Sequence, residues 1–242
     1  MSNGKKQANR KSQTEKLARV RRRAKQRQRQ QSQIIPLIIF GVIIIVVAFI
    51  IATAPTSTAL PRNHPSADGN AMGDPKAPVV IENFSDFQCS HCRNFYQTTE
   101  AYIIENYIAT GKVYFIFHSF GDTPGGDSGR AARAAYCAGD QNKFWEMHDT
   151  IYDNFSATDN GGYSLNRLTA MAKKIKLDMD AFESCLNSDK YIEKVDSDAI
   201  LGIDKGVTGT PTFFINDQII VGNQSQDYFI QVIEAELAKV EE

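Results

Sequence analysis

Two cysteines separated by Ser90 and His91, in the stretch "DFQCSHCRNF" from Asp86 to Phe95, are the residues of this chain best suited to chemistry. A Cys-x-x-Cys pair can clamp zinc, lock a loop as a static disulfide, or open and close as a redox couple. Zinc needs four ligands, usually from a second close pair or a paired-histidine spacing. The other cysteines, Cys137 and Cys185, lie far apart in sequence, and no HxxxH occurs, so no metal is expected. Context separates the remaining two readings. The pair follows a short apolar run, "APVVIENFSDF" (Ala77 to Phe87), and precedes a stretch with helical spacing. The Cys89 sulfur is therefore expected among unpaired backbone N–H groups at the positive end of a helix, where a thiolate is stabilised. His91 between the cysteines is expected to stabilise it further. A stabilised thiolate favours the reduced dithiol and makes the disulfide the stronger oxidant. The spacing and setting point to a redox centre.

The surrounding elements follow from periodicity. After the pair, Phe95, Thr99, Tyr102, Ile103 and Tyr107 recur near helical spacing. "KVYFIFHSF" (Lys112 to Phe120) is a second β-branched and aromatic run, which completes a βαβ unit. A helical block spans about residues 128–207 and contains Trp145 and His148, both expected in the core. "TPTFFIN" and "QIIVGN" read as two strands around a turn at Asn216 and Asp217, and "DYFIQVIEAELAKV" as a terminal amphipathic helix. The order βαβ, helical insertion, ββα predicts an α/β thioredoxin-type sheet split by an α-helical domain. No repeat, phosphate loop or GxGxxG motif is present, and no cofactor is expected.

The 242-residue chain has a net charge of -1, which conceals a segregation. Residues 1–33 hold twelve Lys or Arg and one acid, Glu15, whereas the remainder holds 15 basic and 27 acidic residues. Residues 34–54, "IIPLIIFGVIIIVVAFIIATA", are uncharged and long enough to cross a hydrocarbon core of about 30 Å as a helix. The basic flank "RVRRRAKQRQRQ" (Arg19 to Gln30) is expected to stay cytoplasmic by the positive-inside rule rather than to bind nucleic acid. Everything after residue 54 is then expected outside the cytoplasm. Pro55, directly after Ala52-Thr53-Ala54, favours an uncleaved anchor over a cleaved signal peptide. Residues 55–72 lack apolar periodicity and read as a linker in which His64 is solvated. The domain proper is expected over 73–242.

Three motifs in order, "GDPKAPVVIENFSDFQCSHC", "AARAAYCAGDQNKFWEMHD" and "GVTGTPTFFIN", resemble the DsbA-like thiol–disulfide oxidoreductases of the thioredoxin superfamily, in particular their membrane-anchored or secreted branch. The resemblance runs from about Met72 to the C-terminus. It implies that Pro211 is a cis proline facing the dithiol, with Thr210 offering backbone to a substrate strand, and that Phe87, Pro211 and Phe213 form an apolar surface around the site. Cys137 and Cys185, both in the insertion, are expected as a structural disulfide. Two departures stand out. Thioredoxin-like proteins commonly carry a buried acid six residues before the first cysteine, and here that residue is Asn83, with Glu82 on the opposite strand face. Water or Asp86 is left to move the proton. His118 stands where the family more often has Arg.

The implied activity is disulfide introduction into reduced client proteins at Cys89 and Cys92, with His91 and Pro211 assisting, and recycling by a membrane quinone-linked thiol oxidase. The same residues run in reverse give a reductase or isomerase. From another class, the chain would be an anchored client-binding module whose CxxC is only structural.

Overall fold

A computed structural model describes residues 62–121, 125–157 and 161–240. A five-stranded sheet has the order β1 (Ala71–Met72), β3 (Val113–Ser119), β2 (Val79–Ser85), β4 (Thr212–Ile215), β5 (Gln218–Val221). Its centre is β2 (Val79–Ser85), parallel to β3 (Val113–Ser119) from Val79↔Val113 to Ser85↔Ser119. β-Branched or aromatic residues make up most of both strands, Val79, Val80, Ile81 and Phe84 in β2 and 113–117 in β3, the composition of strands covered on both faces. Helix α1 makes the crossover between them. It opens as Ser90–Phe95 and continues through residue 108 by alternating π and α turns. Strand β4 (Thr212–Ile215) pairs antiparallel with β2 on the other side, and β5 (Gln218–Val221) closes that edge. The β4–β5 turn places Asn216 at φ 49°, a conformation asparagine tolerates, while its side-chain Oδ1 accepts from Val80 N at 2.9 Å.

One sheet face buries Phe213 between Phe95 of α1 and Phe229 of α7 (Gln226–Ala238), at ring separations of 4.4 and 4.8 Å. The insertion comprises α2 (Asp127–Gly139), α3 (Phe144–Asp153), α4 (Leu165–Lys174), α5 (Met179–Leu186) and α6 (Ile192–Asp204). Five fully buried alanines in α2, at 131, 132, 134, 135 and 138, let its neighbours approach closely. A disulfide joins Cys137 of α2 to Cys185 of α5, with Cα atoms 5.8 Å apart. Helix α6 packs over the opposite sheet face, where Gly202 leaves room for Phe120 and Phe84. Trp145 and His148 are both buried in the core.

The boundary of the domain differs from the sequence expectation. Within the segment 55–72 expected as a linker, Ala71–Met72 form β1, antiparallel to β3, and Met72 is fully buried. His64 is not solvated: its Nε2 lies 3.1 Å from Asp149 Oδ2 and its ring packs beside Trp145. Arg62 donates to Tyr96 O at 2.8 Å and to Glu100 Oε1 at 3.2 Å. Arg62 supplies a charge partner to the fully buried Glu100 carboxylate, and His64 adds a second imidazole to Asp149, whose other oxygen meets His148 Nδ1 at 3.0 Å; such a carboxylate left without partners is strongly unfavourable. That electrostatic requirement leaves no trace in apolar periodicity, so a composition-based boundary falls about ten residues late. No helix among the described residues is long and apolar enough to cross a membrane; the apolar run 34–54 and the basic segment 1–33 lie outside them.

Candidate active site

Strand β2 ends at Ser85, and the loop Asp86–Gln88 delivers the chain to Cys89, the N-cap residue of α1. The loop is held from both ends. Gln88 N donates to Asp86 Oδ1 at 2.8 Å, Cys89 N donates to Asp86 O at 3.1 Å, and the Ser128 hydroxyl donates to the same Asp86 carboxylate. Cys89 is half-buried, while Cys92, one turn on, is 1% exposed. An attacking group from outside can therefore reach only the first sulfur.

The Thr210–Pro211 peptide bond is cis, and it sets Thr210 against the pair: Cys89 Sγ donates to Thr210 O at 3.3 Å. Pro211 O accepts from Gly222 N at 2.8 Å, and Asn223 Nδ2 donates to Asn94 Oδ1 at 2.5 Å, tying the β5 end to the helix that carries the cysteines.

The two thiols are driven apart in acidity. A hydrogen bond from Cys92 is the largest influence on Cys89; it outweighs partial burial and, with donors from Thr210 and the backbone N–H groups of Cys92 and His91, brings the Cys89 pKa down to about 5. Burial first, then the neighbouring Cys89, pushes the Cys92 thiol well above the ordinary range. Near neutral pH the reduced pair is a half-exposed thiolate beside a buried thiol. This is the arrangement for exchange at Cys89 with Cys92 as internal leaving group or resolving nucleophile.

Several sequence expectations require revision. His91 acts on Cys89 through its backbone N–H, and its side chain is exposed, so the thiolate does not depend on a packed imidazole. Phe87 and Phe213 were expected on the substrate-facing surface, but both are buried. Phe87 packs on Phe117 and Tyr152 at 5.2 and 5.0 Å, and Phe213 on Phe95 and Phe229. Strand alternation directs Phe213 inward, and the Asp86 loop tucks Phe87 under α3. His118 and Glu82 lie together on the other sheet face. His118 Nδ1 is 3.1 Å from Asp198 Oδ1 and Nε2 is 3.4 Å from Glu82 Oε1, while Lys205 also bridges Glu82. The His118 contact, then Lys205, lowers the Glu82 pKa to about 2 against its partial burial, marking a fixed ion cluster rather than a proton donor.

Glu100, His148 and Asp149 have ligand-type atoms within 4.8 Å of one another. Arg62 already neutralises Glu100 and His64 meets Asp149, so a cation there would face an arginine and displace an ion pair. Sequence reasoning also passed over Ser85. Its signal was two polar residues, Asn83 and Ser85, following Val79 and Ile81 on one face of the strand leading to the cysteines. Both are 1% exposed, and the Ser85 hydroxyl donates to Asn83 Oδ1 at 2.7 Å.

A dithiol at a helix start beside a cis proline, on a sheet split by five helices, has known counterparts. The sequence profile described as thioredoxin matches residues 66–235. The chain belongs to the thioredoxin family. A Bacillus cereus protein named probable disulfide bond formation protein D is 31% identical over 70% of this chain and 79% of its own length. The crystal structure of Wolbachia pipientis alpha-DsbA1 superposes with a TM-score of 0.63 at 30% identity, over 70% of this chain and 91% of that one. Oxidised BdbD from Bacillus subtilis, at 24% identity and TM-score 0.64, shares the fold over 74% of this chain and 97% of its own. Within the family, the chain is a DsbA-like disulfide oxidoreductase.

Proposed function

We propose that this thioredoxin-family protein introduces disulfides into reduced client proteins outside the cytoplasm, with residues 34–54 as a single-pass anchor, 1–33 as a cytoplasmic tail and the catalytic domain beyond. The separation of the two thiol acidities carries the reading. A pair whose outer sulfur has a pKa of about 5 holds its reduced form as a stable thiolate and gives up its disulfide readily. The names of the Bacillus relatives point the same way.

A client thiolate attacks Cys89 Sγ in the oxidised pair. The Cys89–Cys92 bond breaks and its electrons leave on Cys92, which then takes up a proton. The client's second thiolate attacks its own sulfur of the mixed disulfide, releasing an oxidised client and leaving Cys89 as the stabilised thiolate. Thr210 and Pro211 present backbone beside Cys89 for an extended client segment. Reoxidation removes two electrons and the one proton on Cys92 to re-form the Cys89–Cys92 bond, a task suited to a membrane thiol oxidase that passes the electrons to quinone. The half-exposed sulfur and the apolar run 34–54 support this cycle.

The test is a titration of the full chain against glutathione buffers, following the alkylated fraction of Cys89 and Cys92 by mass. A potential of about −120 mV, that of strong oxidants, is expected. A value of about −270 mV, that of thioredoxin, would make the protein a reductase.

A further inference from the structure

The thiol exchange described above requires a buried sulfur, Cys92, to bear negative charge twice per cycle, once as leaving group and once as nucleophile. Its surroundings oppose that charge, since Cys92 is 1% exposed and sits beside Cys89. The strand position six residues before Cys89 holds Asn83, whose amide cannot exchange a proton in this pH range. The neutral groups around Cys92 therefore decide how fast it can act.

Two donors approach it. Asp86 N donates to Cys92 Sγ at 3.5 Å, and the Ser85 side chain, on the residue just before it, favours the charged form of the same sulfur and acts on Tyr152 as well. Ser85 is itself 1% exposed, and its single proton points to Asn83 Oδ1 at 2.7 Å. A hydroxyl has one proton to give and rotates freely about its C–O bond. It can rest on Asn83 while Cys92 is a neutral thiol and turn to the sulfur when that sulfur is charged. The charged and titratable groups facing this spot are Cys89 from α1, the Asp86 carboxyl, and Tyr152 from α3, with Glu100 acting on Tyr152 from behind. Tyr152 is kept neutral by burial first and then by Cys92, Asp86 and Glu100, so it supplies no negative charge of its own.

We propose that Ser85, parked on Asn83 Oδ1, is the switchable donor that receives the Cys92 thiolate, the task a buried acid would otherwise share. The inference rests on the oxidoreductase reading. In the forward step the Cys89–Cys92 bond breaks, the electron pair comes to Cys92 Sγ, and the Ser85 proton turns toward it. Cys92 then takes a proton from water and Ser85 returns to Asn83. In the reverse step Cys92 loses its proton to water, attacks Cys89 Sγ, and the group bound to Cys89 departs with the electron pair. Ser85 lends a hydrogen bond in both directions and never gives up its proton. Asn83 is a positioning residue, since it acts through Ser85.

The reduced full chain is mixed with the aromatic disulfide dithiobis(nitrobenzoate) over a range of pH. Cys89 attack releases a first thionitrobenzoate, and attack of Cys92 on the mixed disulfide releases a second. Ser85→Ala is expected to slow the second release about tenfold, the size of one hydrogen bond to a charge, and to raise its pH midpoint. The first release and the Cys89 alkylation midpoint should stay as in the wild type, a split that a general loosening of the fold would not give. Ser85→Thr, which keeps the hydroxyl, should restore the second release to within about threefold. A second release unchanged in the Ala variant overturns the proposal, as do equal rates for the Ala and Thr variants. A wild-type chain that releases no thionitrobenzoate at all would remove the oxidoreductase reading itself.

Discussion

Cys89 and Cys92 stand three residues apart at the start of one helix, whereas Cys137 and Cys185 are 48 residues apart on two helices of the insertion. The first pair is made of unlike sulfurs, one half-exposed and acidic, the other buried and reluctant to ionise. The second pair is joined, with Cys137 fully buried against the alanines of α2. The difference shows that proximity of two thiols does not by itself make a redox couple. What matters is whether solvent reaches one sulfur and whether helix N–H groups await the charge it acquires. Cys89 has both, whereas Cys185, also half-buried, lies in the last turn of α5, away from any helix N-terminus.

The comparison can be broken or sharpened in several ways. Cys89→Ala should abolish oxidative refolding of a reduced client protein, because Cys92 is out of reach of any attacking thiol. Removing the other pair, as Cys137→Ala with Cys185→Ala, should leave the potential of the first pair unchanged. It should lower unfolding free energy by about 4 kcal/mol, from the chain entropy of a 48-residue loop. Urea denaturation checks this, and a large loss of exchange activity in that variant would erase the distinction between the pairs.

A smaller effect concerns acidity. Folding depresses the Cys89 pKa from 9.0 to about 5. The thiol therefore stabilises the reduced fold fully above about pH 9, and that contribution is lost as pH falls through about 5. Urea midpoints of the reduced chain measured against those of the oxidised chain across this window should show the trend, and iodoacetamide labelling of Cys89 should half-saturate near pH 5. Thr210→Val, which removes one donor to the thiolate, should raise that labelling midpoint by about one unit. His91→Ala should move it by less than about half a unit, because the backbone N–H at position 91 remains. A larger shift for His91 than for Thr210 would return the imidazole to the centre of the mechanism.

Much of this was legible in the residues. The CxxC after an apolar strand, the hairpin at Asn216 and the helical block between them define the fold because each is a local pattern with a local physical cause. The roles of Phe87 and Phe213 were not legible, since an aromatic beside a site in sequence can equally face the core, and strand alternation with α3 overhead decided that. His64 was unreadable for a different reason. Its partner Asp149 is 85 residues away, and nothing in residues 55–72 signals a charge waiting to be met. Ser85 fell between these cases: its face of the strand was predictable, but its contact with Cys92 depends on how the loop turns at Asp86.

The docking of Arg62 and His64 also has a mechanical side. Tension applied to the chain upstream does not enter this domain through a strand, where a ladder of backbone bonds would share it. It arrives at two side chains. Arg62 passes it to the Tyr96 carbonyl and Glu100, on the same helix that opens at Cys89, and His64 passes it to Asp149 on the helix packed alongside. The first attachments to yield under load are thus ionic grips, which weaken as salt rises or as the carboxylates take up protons, while the sheet behind them stays whole.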